Sequence, residues 1–421
     1  MVTLAIFILR QMLSVGQLKI SLPGQPDIVI APRKRSRKKP PAPIPEDRLK
    51  IAISLPDASA LLALVLRPDP LIGEYYMRGD LEIKEGSFED FTAFLFGNIN
   101  AWRHSPSGRI YCYFANFIGW FASLNPLKRA RRNVAHHYDL TDQLFDLFLD
   151  QNRQYSCAYY RAAEDSLALA QRQKMARLAA KLCLRPGIRV LDIGCGWGGL
   201  ATAISKCSDN LQVTGITLSE NQFAYFKKAI MTAGRQDSLS VELCDYRKLG
   251  NRRFERIISV GMLEHVGRQN LNRFMAAIDR HLTTDGVAVI HSIGRNDRAC
   301  STSPWLNKYI FPGGYLPTLR QMMQAIEKTD LKITDIEIMR LHYAETLKHW
   351  RTAFEAEKHQ LPEEYDENFI RMWRFYLICS ENYFRYAHGM VFQIQLARRQ
   401  RDVPQTRDYI AKDEASYIKR L

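Results

Sequence analysis

The feature that most constrains the fold is an alternation of short apolar runs with helix-compatible stretches, which begins at Ile188. Five runs have the length and residue types of strands: 188–194, 211–217, 239–244, 254–260 and 286–293. Helical stretches lie between most of them, and strands separated in this way form a parallel sheet with helices on both faces. The sequence therefore predicts an α/β fold with a Rossmann-like, doubly wound sheet.

The first of these runs leads into a glycine-rich turn with the sequence VLDIGCGWGGLA. Gly194, Gly196 and Gly199 have the spacing G-x-G-x-x-G, which is typical of a turn that binds a dinucleotide. A nicotinamide dinucleotide would also need a carboxylate about 20 residues beyond the glycines to hold its ribose hydroxyls. The second run ends instead at Thr217 with no acidic residue at its tip, which weakens the nicotinamide interpretation and leaves it open.

Length and composition limit the class of protein. The chain has 421 residues, enough for two or three domains. It carries 59 Lys and Arg against 44 Asp and Glu, and the formal net charge of +15 favours a polyanionic partner, either nucleic acid or an anionic membrane. The eight cysteines form no C-x-x-C pair, so we expect reduced thiols in a cytoplasmic protein and no metal site.

The N-terminal part of the chain has a different pattern. Its apolar run, MVTLAIFILRQML, is too short to span a bilayer and lacks the features of a signal peptide, so we expect a helix or strand there. GQLKISLPG and RLKIAISLP alternate apolar and polar residues as half-buried strands do. We expect a small α+β domain over residues 1–125 and a catalytic domain over 126–421. The basic, proline-rich residues 31–45 are either a solvated loop or an arm that contacts anionic lipid headgroups.

Helices are predicted on either side of the sheet-forming region. One amphipathic stretch follows a candidate cap at Asp139 or Thr141, and a second covers residues 166–184. Residues 300–398 are rich in aromatics and are predicted to be helical, with the aromatics forming a core. The arginine-rich tail beyond them is expected to be a solvated helix.

Motifs that occur in order along most of the chain narrow the function. L-D-x-G-x-G-x-G at Asp192 resembles the first motif of S-adenosylmethionine-dependent methyltransferases. The chain further resembles the cyclopropane-fatty-acyl-phospholipid synthase family in GEYYMRGDLEI, VAHHYDLTDQLFDLFLD, QYSCAYY, GITLSENQ, SVGMLEHVG, YIFPGGYLPT and LHYAETLKHW. The resemblance implies a methyltransferase domain with helical, lipid-binding insertions, which adds a methylene group from S-adenosylmethionine across the cis double bond of an unsaturated phospholipid acyl chain. It also implies a peripheral enzyme at the inner face of the cytoplasmic membrane, and a homodimer.

The same resemblance implies a catalytic base, an enzyme-bound bicarbonate that closes the cyclopropane ring by removing a proton. Matching motif by motif, its ligands are the backbone amides of Cys157 and Ile293 and the side chains of Glu264, His291 and Tyr343. Glu264 and His291 follow or end the fourth and fifth strands, and ligands of such sheets bind at the carboxyl ends of the strands. As alternatives, Cys157, His291 and Tyr343 could be core residues and Glu264 a surface residue.

The cofactor site is also implied by the resemblance. It comprises Tyr155, Asp192, Gly194, Gly196, Thr217, Leu218, Gln222, Asp245 and Tyr246. Asp245 and Tyr246 are included because they follow the third strand, where this fold usually contacts adenine. Gln222 would contact the ribose in place of the missing carboxylate. Asp192 could instead serve only to cap the helix that follows.

Other functions stay open on the sequence. Members of the same family methylate an acyl chain without closing a ring, or hydroxylate it, and the quoted residues do not separate these outcomes. A nucleic-acid methyltransferase is compatible with the charge of +15. However, the sequence has neither an Asn/Asp-Pro-Pro-aromatic motif nor a recognisable RNA-binding module, so no nucleic-acid partner is expected. A lipid-binding protein with a vestigial cofactor site is disfavoured by the complete set of site residues.

Overall fold

The computed structural model describes residues 1–32, 44–113 and 142–421. The chain forms two compact units. The first contains the described residues up to 113 together with Cys300–Phe311 and Leu347–Gly389, and the second contains the described residues of Ser123–Ala299 with Pro312–Thr346 and Met390–Leu421. The expected domain boundary near 125, most of the basic segment 31–45 and both candidate caps, Asp139 and Thr141, lie outside the described residues.

The N-terminal elements mix helices and strands. They are α1 (Val2–Met12), β1 (Gln17–Ser21), β2 (Ile28–Ile30), β3 (Lys50–Ser54), α2 (Ala58–Leu66), α3 (Pro68–Arg78), β4 (Glu82–Glu85), α4 (Phe88–Gly97) and α5 (Ile99–His104). The strands form a sheet in the order β2–β1–β3–β4, in which β1 and β3 are parallel. The two alternating segments are therefore strands, as predicted, and the apolar N-terminal run is the helix α1.

The elements from residue 142 onwards build the large sheet and the later helices. They are α6 (Asp142–Phe148), α7 (Leu167–Lys181), β5 (Arg189–Ile193), α8 (Gly199–Cys207), β6 (Gln212–Thr217), α9 (Glu220–Thr232), β7 (Leu239–Leu243), β8 (Phe254–Val260), α10 (Leu271–His281), β9 (Leu282–Arg295), α11 (Pro304–Tyr309), α12 (Leu319–Ile326), β10 (Lys332–Ile338), α13 (His342–Glu357), α14 (Glu367–Tyr386), β11 (Gly389–Ala397) and α15 (Asp408–Ile418). The seven strands of the second unit have the order β10–β11–β9–β8–β5–β6–β7. Strands β5 to β9 are the five that the sequence predicts.

Helices cover both faces of this sheet. Val190 and Leu191 are neighbours on β5 but belong to opposite core clusters, and the same is true of Ile258 and Ile257 on β8. This alternation places apolar side chains on both sides of the parallel strands, as a doubly wound sheet requires. One cluster includes residues of α10 and α12, and the other includes residues of α7, α8 and α15.

Two predictions for the C-terminal part are wrong. The stretch 300–398 is not helical throughout, because β10 and β11 pair antiparallel within it. Almost every residue of β11 is buried, so its side chains give no clear period, and a short apolar run of this kind is not distinguished from a buried helix by pattern alone. The tail does form the helix α15, but it is not solvated all round, because Ile410 and Tyr417 pack into the core.

The aromatic helix α14 forms its core within the first unit. It packs on α3 and α4, where the rings of Tyr76 and Phe88 stack with centroids 3.9 Å apart and Phe375 lies 5.8 Å from Phe88. The predicted aromatic core is therefore present, in a unit formed mainly by N-terminal residues. Among the helices of the described ranges, none combines the length and the apolar character needed to cross a bilayer.

Candidate active site

The candidate site lies at the carboxyl end of β5, in the second unit. β5 has β6 on one side and β8 on the other. The chain therefore winds away from β5 in both directions, and the loops that follow these strands leave a crevice between them. This is the position at which open α/β sheets bind their ligands.

The glycine-rich turn takes a backbone path that larger residues would block. Gly194 has a φ of +81°, and a Cβ there would lie 2.8 Å from the Cβ of Met262. A Cβ on Gly199 would lie 2.3 Å from the carbonyl oxygen of Asn152. The turn is fixed to β6, because the amides of Gly194 and Cys195 both donate to the carbonyl of Ile216, at 2.9 and 3.1 Å. The sequence GCGWGG thus gives a turn that neighbouring loops can approach closely.

A cavity of about 140 Å³ opens beside this turn. All nine residues predicted for the cofactor line it: Tyr155, Asp192, Gly194, Gly196, Thr217, Leu218, Gln222, Asp245 and Tyr246. They come from several separate segments of the chain, and the fold brings them around one space. Their assignment to a particular ligand stays a prediction, but their grouping is a property of the structure.

Asp192 is an almost fully buried acid in the wall of this cavity. It is 1% exposed, and burial raises its pKa to about 7 against the opposing effect of the nearby Lys174 charge. Its Oδ2 accepts no hydrogen bond from any residue that the structure describes. The helix α8 is capped by Gly198 and not by Asp192. A buried carboxylate oxygen without a donor fits a cavity whose ligand provides one.

Two polar pairs also line the cavity. Thr217 Oγ1 donates to Gln222 Oε1 at 2.9 Å, so a neutral pair occupies the place where a nicotinamide site would have its carboxylate. Asp245 accepts from the Nε of Arg247 at 2.8 Å and from its Nη2 at 2.7 Å. The charge of Asp245 is therefore already compensated within the protein.

Glu264 and Ile293, two members of the predicted base site, are in direct contact. Glu264 lies in a 3-10 turn, Leu263–His265, after β8, and its Oε1 accepts from the amide of Ile293 at 2.5 Å. Its Oε2 has no donor among the described residues. Burial raises the pKa of Glu264 to about 7. The amide that the resemblance assigns to a bound base thus donates to Glu264 in this structure.

His291 is a buried, neutral residue of β9 and pairs in register with Val260 at the end of β8. Burial, with the nearby positive charges of Lys174 and Lys181, lowers its pKa to about 3. Gln393 on β11 lies against it, with 3.2 Å between Gln393 Nε2 and His291 Nδ1. With Gln393 as the donor, Nδ1 accepts and the proton of the neutral ring lies on Nε2.

Cys157 and Tyr343, the remaining predicted base ligands, are both buried. The thiol of Cys157 donates to the carbonyl of Ala158 at 3.3 Å, and burial raises its pKa far above the ordinary range. A protonated thiol is a poor nucleophile, which agrees with the expectation that only the backbone of Cys157 takes part. Among the described residues, none of the five predicted base ligands lines the cavity, but Ser156 and His265, the neighbours of Cys157 and Glu264, do.

Sequence reasoning missed several residues of the cavity wall. Arg153 and Trp197 both line it, and the Arg153 guanidinium lies 4.8 Å from the centroid of Trp197 and 4.4 Å from that of Tyr225. His265 is also in the wall, and burial lowers its pKa to about 4, so it is neutral. Trp197 stood within the glycine motif, whereas nothing in the sequence distinguishes Arg153 from other arginines. The described residues contain no group of His, Cys, Asp or Glu arranged to hold a metal ion.

Comparison with known proteins matches the part of the chain that forms this site. The family model described as mycolic acid cyclopropane synthetase matches residues 125–394. The cyclopropane-fatty-acyl-phospholipid synthase of Escherichia coli strain K12 is 39% identical over 276 residues, which are 66% of this chain and 70% of that protein. The tuberculostearic acid methyltransferase UfaA1 of Mycobacterium tuberculosis is 36% identical over 283 residues, 64% of this chain and 66% of that protein.

A solved structure gives the same match in three dimensions. The mycolic acid cyclopropane synthase CmaA1, complexed with SAH and CTAB, superposes with a TM-score of 0.59 at 30% sequence identity. The match covers 65% of this chain and 99% of that one. It confirms the Rossmann-like methyltransferase fold that the sequence predicts.

Proposed function

The chain belongs to the family of mycolic acid cyclopropane synthetases, and on that premise we propose that it adds a methylene group from S-adenosylmethionine across the cis double bond of an unsaturated phospholipid acyl chain. It is an S-adenosylmethionine-dependent methyltransferase, as the motifs predict. The observation that supports the proposed methylene transfer is the cavity beside β5, where the nine residues predicted to bind the cofactor meet.

The residues around the cavity fit S-adenosylmethionine. When bound, this molecule supplies a methyl group on a sulfonium, which is electrophilic enough to be attacked by an alkene. Asp192 Oδ2 is a buried acceptor without a donor among the described residues, and the ammonium group of the ligand would provide that donor. Gln222 would bind the ribose hydroxyls, with Asp245 and Tyr246 beside the adenine.

The chain also provides a buried site at which a base could accept the proton that ring closure releases. An unactivated alkene is a weak nucleophile, so the site must hold it in line with the methyl group and exclude water, which would trap the carbocation on the acyl chain. Glu264, His291 and Cys157 are all buried next to residues of the cavity wall. A positioned base is needed there as well.

We assign that role to a bicarbonate ion, held by the amides of Cys157 and Ile293, by Glu264 and Tyr343, and by the Nε2–H of His291. Two observations support this choice. Glu264 keeps one oxygen without a donor among the described residues, and the contact of His291 with Gln393 directs its ring proton to the other nitrogen. Ile293 would exchange its present acceptor, Glu264, for the ion.

The second candidate is methylation of the acyl chain without ring closure. It is favoured by one observation, the 36% identity to a protein named as a tuberculostearic acid methyltransferase. The predicted base set is complete in this chain, which supports loss of a proton from the new methyl group, and hence the ring.

The substrate sets where the enzyme works. Phospholipid acyl chains lie in a bilayer, so the protein would act as a peripheral enzyme at the inner face of the cytoplasmic membrane. The net charge of +15 would strengthen its attraction to anionic headgroups. We further propose a homodimer, on family resemblance alone.

The test is a transfer assay with isotopically labelled S-adenosylmethionine and vesicles of unsaturated phospholipid, with saturated phospholipid as the control. Mass spectrometry of the acyl chains should show the gain of one CH2 only in the unsaturated lipid, and the product should resist ozonolysis because the double bond is gone. Transfer to tRNA with none to lipid would overturn the proposal. A product that gains CH2 and is still cleaved by ozone would favour the second candidate.

A further inference from the structure

A lysine that the proposed reaction does not use is fully buried beside the site. Lys174, on α7, is 0% exposed. Its Nζ donates to Gln154 Oε1 at 2.5 Å and to Ser156 Oγ at 2.9 Å. Burying an ammonium group is unfavourable unless its hydrogen bonds and charge are compensated. Both acceptors belong to one short segment, residues 154–156, so the buried ammonium group binds this segment to α7.

The same face of α7 also holds the main chain of that segment. Gln171 stands three residues before Lys174, so the two side chains leave the helix on one side. Gln171 Nε2 donates to the carbonyls of Gln154 and Ser156, at 3.2 and 3.0 Å. The amide of Gln154 in turn donates to Asp150 Oδ1 at 2.9 Å. Side-chain and main-chain atoms of residues 154–156 are thus fixed from α7 and from the loop before them.

This segment and the residue after it contribute to both the cofactor cavity and the proposed base site. Gln154, Tyr155 and Ser156 all line the cofactor cavity, and the amide of Cys157, the next residue, is one of the proposed base ligands. Beyond it, the amide of Ala158 donates to Thr346 Oγ1 at 3.0 Å. A displacement of residues 154–156 would therefore move the cavity wall and the proposed base site together.

The charges around Lys174 are suited to keeping it in place. Asp150 and Asp192 are the nearby carboxylates that favour its charged form, and the thiol of Cys157 is the third group that acts on it. Burial is the larger effect and lowers the pKa of Lys174 to about 8. Asp192 is the acid with the unpaired oxygen in the cavity, so the ammonium group interacts with the acid of the cofactor site as well as with the segment that carries Tyr155.

We propose that Lys174 is a positioning residue, whose ammonium group holds Gln154 and Ser156 and so fixes Tyr155 at the cofactor cavity and the Cys157 amide at the proposed base site. The proposal rests on the proposed function for the base site alone. For the cofactor cavity it requires only that the protein binds S-adenosylmethionine or its product, S-adenosylhomocysteine.

The test compares Lys174→Met with a matched control on the same helix. Lys181 is also buried, at 1% exposure, but its Nζ pairs with Glu337 at 2.5 Å and with Asp335 at 3.4 Å, not with the 154–156 segment. Isothermal titration with S-adenosylhomocysteine should show about 10- to 100-fold weaker binding for Lys174→Met, the loss typical when a residue that orients the contacting groups is removed. Lys181→Met should lower the thermal midpoint but bind the ligand as the wild type does.

Equal ligand affinity in Lys174→Met and Lys181→Met would overturn the proposal, because Lys174 would then act on stability alone. Lys174→Gln provides a second route if Lys174→Met does not fold, because its amide can still donate to one acceptor of the segment. Its affinity for S-adenosylhomocysteine should also fall, and wild-type affinity would contradict the role of the ammonium group. Wild-type protein that binds the ligand but leaves lipid unmodified would refute the proposed function and leave this test valid.

Discussion

Replacing Glu264 with Gln tests the role proposed for this carboxylate in the reaction separately from its effect on the stability of the fold. Its Oε1 accepts from Ile293 at 2.5 Å, and Gln keeps that oxygen and the size of the side chain while removing the charge. Turnover is expected to fall by about 10²- to 10⁴-fold, the range for a group that assists proton transfer. Affinity for S-adenosylhomocysteine should not change, because Met262 and His265 line the cavity on this side and Glu264 does not.

The same variant should be more stable than the wild type at alkaline pH. Burial raises the pKa of Glu264 from 4.5 to about 7. A raised pKa means that the protonated form favours folding, and that this contribution is lost as the pH rises through about 7. The difference corresponds to about 3 kcal/mol of unfolding free energy, which the wild type loses at high pH and the Gln variant does not.

Urea unfolding of both proteins at about pH 8 and about pH 5 measures this difference, and most of the gain should disappear at the lower pH. The exposed residue Glu164 supplies the control, since Glu164→Gln should change neither turnover nor stability. A Glu264→Gln variant with the same stability difference at both pH values would refute the account of a buried, charged carboxylate. Wild-type turnover in that variant would remove Glu264 from the base site.

Three further substitutions test other parts of the site. Asp192→Asn should weaken binding of S-adenosylhomocysteine about 10- to 100-fold by calorimetry, because it removes a charged acceptor from the cavity; unchanged affinity would show that Asp192 does not touch the ligand. Gln393→Leu should lower kcat about 10-fold with ligand affinity unchanged, because His291 loses the partner that sets its tautomer; unaltered kcat would contradict that role. Gly199→Ala should lower the free energy of unfolding by about 1–3 kcal/mol in thermal melts, since its Cβ would overlap Asn152, and an unshifted midpoint would argue against this geometry.

The sequence predicted the parts of the fold that depend on local pattern. Strands β5 to β9 and helix α7 could be predicted because each segment has its own periodic pattern of apolar residues and its own turn residues at the ends. β11 was missed because burial on both faces removes the alternation that identifies a strand. The return of α14 to the first unit depends on aromatic contacts with α3 and α4, far away in the chain, and local pattern contains no information about such contacts.

The residues of the candidate site also divide into those that the local sequence identifies and those that it does not. The glycine turn, Asp192 and the motif at Glu264 could be found because their residues are close in sequence and resemble known motifs. Lys174 and Gln393 could not, since the roles proposed for them rest on contacts that only the folded structure shows. Gln393 is 102 residues from His291, and Lys174 looks like any helix lysine until the packing of α7 shows that it is buried.

The proposed ring closure takes a proton from the transferred methyl group, so a deuterium label on that group shows whether the proton is lost. Protein, S-adenosylmethionine carrying a CD3 group on sulfur and vesicles of unsaturated phospholipid would be incubated together, and the acyl chains analysed by mass spectrometry. Ring closure by the base site predicts a product that retains two deuterium atoms and resists ozonolysis, because one deuterium is lost and the double bond disappears as the cyclopropane forms. A product that retains all three, or lipid without deuterium, would contradict the account.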